Sequence, residues 1–108
     1  MKDLAIKQIK LIFNEIVDNQ SNINPYTLEK KIEAIQNQLQ ILKGIDNSNN
    51  YSEMFISLTV TLEKDISYAK FSFNDKSSKS KVASYEKDMD KAINQIQFAI
   101  FDLLDENQ

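Results

Sequence analysis

The chain has 108 residues, 13 basic and 16 acidic side chains, a net charge of −3, and no His, Trp, Cys or Arg, so every basic residue is Lys. Lack of Cys excludes disulfides, thiol chemistry and thiolate metal sites, and lack of His removes the commonest general base and metal ligand. Lack of Arg removes the bidentate fork for phosphate or guanine, and an acidic chain neutralises phosphate poorly, so nucleic acid and anionic membranes are disfavoured partners.

The first element spans about 2–19. Ile6, Ile9, Phe13 and Ile16 recur at spacings of three and four, with Ala5, Ile12 and Val17 widening the stripe. That is the period of an amphipathic helix. Lys7, Gln8 and Lys10 interrupt the apolar residues, so the stretch lacks the continuous apolar run of a signal peptide. No apolar run reaches the ~20 residues needed to span a bilayer. The expected location is cytoplasmic.

The second element is predicted over 25–43. Asn24 suits the N-cap and Pro25 the first helical position. Leu28, Ile32, Ile35, Leu39 and Leu42 then repeat at 4, 3, 4, 3, with Lys43 in the last turn and Gly44 expected as a left-handed stop. Asp46 to Asn50 read as a loop.

The third element, 51–73, supports two readings. As a helix capped by Asn50 or Ser52, it aligns Phe55, Leu58, Leu62, Ile66, Ala69 and Phe73. As strands, Ile56 to Leu62 alternates apolar and polar and is rich in β-branched residues. Glu63-Lys64-Asp65 would then turn into a second strand. That turn has no Gly or Asn, and Tyr68 and Ala69 break the alternation, so the helix is preferred. On that reading Tyr68 and Phe71 fall off the core stripe.

After a polar loop at 74–80, the fourth element covers about 81–105. Val82, Tyr85, Met89, Ala92, Ile96, Ile100 and Leu103 form its inner stripe. Near its end Phe98, Ala99, Ile100, Phe101, Leu103 and Leu104 leave almost no polar side, which marks either the centre of the core or an interface. The single Gly and single Pro argue against a β-rich fold.

Patterns with catalytic or ligand-binding associations have simpler explanations. Ser-x-x-Lys occurs at Ser67/Lys70, Ser78/Lys81 and Ser84/Lys87, but no oxyanion-hole signature accompanies it. Asp88-Met89-Asp90 opens like a calcium loop, yet Ile93 and Ala99 stand where Gly and Glu are required. Asp102, Asp105 and Glu106 read as an acidic, solvated chain end, and Lys76, Lys79 and Lys81 as a solvated loop. Tyr26, Tyr51, Tyr68 and Tyr85 read as aromatics at core edges or at an interface.

Phe98-Ala99-Ile100-Phe101-Asp102 resembles the late aromatic-x-x-x-acid signal of small helical proteins of the WXG type and their companions in type VII secretion. The resemblance covers five residues, and the Trp-x-Gly turn of that family is absent. It implies a structural, secretion-linked role as a homodimer or carrier chaperone.

The expectation is one helical domain over 1–108, all-α, a small bundle of three to four helices. The alternative is α+β, with a β-hairpin at about 55–73 packed on helices. The expected function is non-catalytic protein binding, with no cofactor and no metal. An inhibitor, immunity or antitoxin-like factor fits, and abundant Ile, Asn and Lys are associated with low-GC bacteria, their phages and plasmids. The expected partner is another protein or a second copy of the chain. The candidate contact residues are Tyr68, Phe71, Phe98, Phe101, Asp102 and Asp105.

Overall fold

A computed structural model describes residues 2–46 and 49–105. Six helical segments follow in order: α1 (Lys2–Asp18), α2 (Pro25–Ile45), α3 (Asn49–Glu63), α4 (Asp65–Phe73), α5 (Lys79–Ala99) and α6 (Phe101–Asp105). The fold is all-α, with no strand among the described residues.

α2 is the central rod and packs against α1, α3 and α4. Asn24 has extended backbone, and its Oδ1 accepts the Thr27 backbone N–H at 2.8 Å. Leu28, Ile32, Ile35, Leu39 and Leu42 are all fully or almost fully buried. Each such side chain contributes roughly 1.5–3 kcal/mol by leaving water. Gly44 does not stop the helix. Its φ is not positive, and α2 runs through it to Ile45, where the Asp46 N–H donates to the Leu42 carbonyl at 2.8 Å. A glycine accepts helical angles as readily as left-handed ones, so the residue alone did not dictate a stop. Asp46 also accepts from Lys2 at 3.1 Å, and this hydrogen bond holds the Lys2 ammonium above the usual lysine range.

The hairpin alternative at 55–73 is not formed. That stretch lies in α3 and α4, which are interrupted only at Lys64. Hydrogen bonds of helical spacing cross the interruption, from Lys64 N–H to Val60 O and from Tyr68 N–H to Lys64 O. The strand-like alternation dissolves on a helix, where a step of two residues turns to nearly the opposite side. Leu58 is buried while Ile56 and Val60 face solvent. The Thr59 and Thr61 hydroxyls donate to the carbonyls four residues back, which satisfies them within the helix. Asp65 is buried in the first turn of α4, where the helix dipole favours a carboxylate, although its Oδ1 has no hydrogen-bond partner.

The fourth predicted element is likewise interrupted, at Ile100. Ser78 caps α5, with its Oγ accepting the Lys81 N–H at 3.2 Å. Two expectations about the stripes are corrected: Val17 and Val82 are exposed and line one open groove. Tyr51, expected at a core edge or an interface, is buried. The buried side chains of all six segments form one continuous cluster.

Candidate interaction surface

α4, α5 and α6 bury one face and display a second apolar one. On α4, Ile66 and Ala69 enter the core. On α5 and its continuation, Ala92, Ile93, Ile96, Ile100 and Leu103 do the same. The apolar residues between them are therefore turned outward. Phe71 is 80% exposed, Phe98 73%, Tyr68 58% and Phe101 51%. The question left by the apolar end of the chain thus divides by residue: Ile100 and Leu103 are core, whereas Phe98 and Phe101 are surface.

Two grooves border these rings. One lies between α4 and α5, walled by Tyr68, Phe71 and Phe98, with Lys87 and Lys91 on its rim. The other lies between α3 and the α5–α6 junction, with Met54 and Ala99 against Phe98 and Phe101, and Glu53 and Asp102 at its edges. Phe98 is a wall of both. The fold thus gathers Tyr68, Phe71, Phe98, Phe101 and Asp102 along one side. Asp105 is exposed and lines neither groove.

The charges of the two grooves are used differently. Asp88 accepts the Ser72 hydroxyl, and Asp90 accepts the Gln20 amide at 3.2 Å. Lys87 and Lys91 make no ion pair among the described residues, and neither do Glu53 and Asp102.

The remaining candidate residues have internal duties. Tyr26 meets Phe73 edge-on at 5.9 Å, and Phe73 meets Tyr85 at 5.5 Å. Lys76 Nζ lies 4.3 Å from the Phe73 ring centre, and Lys70 Nζ lies 5.1 Å from that of Tyr26 while pairing with Glu29 at 2.8 Å. This stack ties the start of α2 to α4 and α5. Partial burial there pushes the Tyr85 phenol up. No periodicity announces the stack, because its members come from three elements. In none of the three Ser-x-x-Lys pairs does the hydroxyl bond to the lysine ammonium among the described residues: Ser78 caps α5 by accepting the Lys81 backbone N–H, and the Lys81 ammonium pairs with Asp75 at 2.7 Å. Asp88-Met89-Asp90 is helical, with Met89 buried. Among the described residues, no three acidic side chains gather as metal ligands, and no helix is long and apolar enough to cross a membrane.

No protein-family model matches this chain, and comparisons with curated proteins and with solved structures found no match.

Proposed function

We propose that the chain is a non-catalytic protein-binding module that acts by occluding a partner protein. α3–α4 and α5–α6 serve in it as two interrupted rods, so that four rods make the bundle. One observation carries the reading: Tyr68, Phe71, Phe98 and Phe101 stand exposed together while the core closes without them. Contiguous exposed aromatic surface is costly in water and is characteristic of interfaces, whose centres are enriched in Tyr and Phe. An acidic, Lys-only chain working in the cytoplasm of a low-GC bacterium, or encoded by its phage or plasmid, suits an inhibitor, immunity or antitoxin-like role.

The test is a photo-crosslinking residue placed at Phe71 or Phe98, with Lys30 on the outer side of α2 as control. A protein adduct that forms from the two aromatic positions and not from Lys30 supports the module. Equal labelling from all three positions, or none from any, overturns it.

A secretion-linked role is the second reading, favoured by Phe98 and Asp102 lining the same groove. It expects Phe98→Ala and Asp102→Ala to abolish export of a chain that still folds. Unchanged export would dismiss it.

A further inference from the structure

We propose that the partner at this aromatic face is a second copy of the same chain, paired in antiparallel register about a twofold axis passing between Asn94 and Gln95. The proposal rests on the protein-binding reading of the face and names its occupant.

Phe98 stands between two sets of charged side chains that make no ion pair among the described residues. On the α4–α5 side stand Lys87 and Lys91, beside Asp88 and Asp90, whose carboxylates are turned to hydrogen bonds from Ser72 and Gln20 and pair with neither lysine. On the other side stand Glu53 and Asp102, and no lysine lines that groove. Neither lysine and neither of these two carboxylates has an ionic partner among the described residues. A surface bearing unpaired cations at one end, unpaired carboxylates at the other and an exposed ring between them complements itself when turned end over end.

The register follows from the sequence. Lys87, Lys91, Asn94, Gln95 and Phe98 recur at helical spacing along one exposed side of α5, and Asp102 shares a groove with Phe98. Reflected through the midpoint of residues 94 and 95, Lys87 meets Asp102 of the second copy, Lys91 meets its Phe98, and Asn94 meets its Gln95. These are an ion pair, a cation over an aromatic face and an amide pair, and the symmetry makes each twice. Such an isologous contact closes as a dimer and leaves no end open for further growth. Tyr68 and Phe71 extend the contact on the α4 side.

The first test is the mass of the purified full chain by light scattering across concentration. Twice the monomer mass is expected. Monomer mass at every concentration up to about 1 mM overturns the second copy, and the crosslinking readout at Phe98 then judges the heterologous reading separately. The second test fixes the register. Lys87→Glu and Asp102→Lys should each weaken the dimer at least about tenfold through like-charge contact. An equimolar mixture of the two variants should recover it, since both bridges re-form across the mixed pair. Both residues are exposed, and circular dichroism checks that each variant folds. Failure of the mixture to recover overturns the register. The chain has no cysteine, so Gln95→Cys gives a clean third test. It should oxidise to a disulfide-linked dimer much faster than Lys30→Cys, and equal rates overturn the axis.

Discussion

The side-chain amide of Gln36 donates to Thr59 Oγ1 at 2.9 Å and to the Phe55 carbonyl at 3.1 Å, joining α2 to α3 through an otherwise apolar seam. Gln36 is buried. Gln36→Ala removes two hydrogen bonds of about 1 kcal/mol each and leaves a small void. A loss of about 2 kcal/mol in urea unfolding is expected. Stability unchanged within error would show that the link is decorative.

The seam of α2 gives a second prediction. Ile35 is fully buried at its centre. Ile35→Ala should cost about 2–5 kcal/mol, and Ile35→Asp should unfold the chain because it buries a charge without a partner. Retained helicity in the Asp variant, read by circular dichroism, would contradict the burial assigned to this seam.

Gly44 offers the opposite sign. It lies inside α2, its φ is not positive, and a Cβ there would meet nothing within 4 Å. Gly44→Ala should therefore stabilise the chain by about 0.5–1 kcal/mol through reduced freedom of the unfolded state. A lowered melting temperature would refute the helical assignment at this residue.

Much of this was legible in the sequence. α2 could be read almost residue by residue, because an Asn-Pro start and a five-member apolar repeat point the same way. Ile56 to Leu62 could not, since β-branched residues and chance alternation imitate a strand. Only Gln36 and the Thr hydroxyls, engaged across and within helices, show what the segment prefers. Tyr68 and Phe71 were legible as residues off the core stripe, and they are exposed. The outward turn of Phe98 beside buried Ile100 was not, because an all-apolar stretch carries no phase. The burial of Asp65, the Tyr26–Phe73–Tyr85 stack and the contrast in charge across Phe98 depend on how separate helices meet, which no local pattern records.

Asp75 supplies a dependence on pH. Lys81 donates to its carboxylate at 2.7 Å and the Ser77 hydroxyl at 3.0 Å, which lowers its pKa below the usual aspartate value. The ionised form thus favours the folded loop. That contribution is fully present above about pH 4 and is lost as the pH falls through the lowered value. An NMR titration of the carboxyl should show a midpoint below that of a free aspartate, and Lys81→Ala should raise it. An unmoved midpoint in the variant would remove Lys81 as the cause.

Two helix pairs close across short connections, α1 on α2 over residues 19–24 and α4 on α5 over residues 74–78. Each closure brings together neighbours in the chain, so little loop entropy opposes it. These two pairs are the expected local starting points of refolding, with α3 expected to join them afterwards. Chains rich in such short-range contacts refold in microseconds to milliseconds. A temperature-jump experiment should find relaxation on that scale, with Leu58→Ala accelerating unfolding far more than it slows refolding.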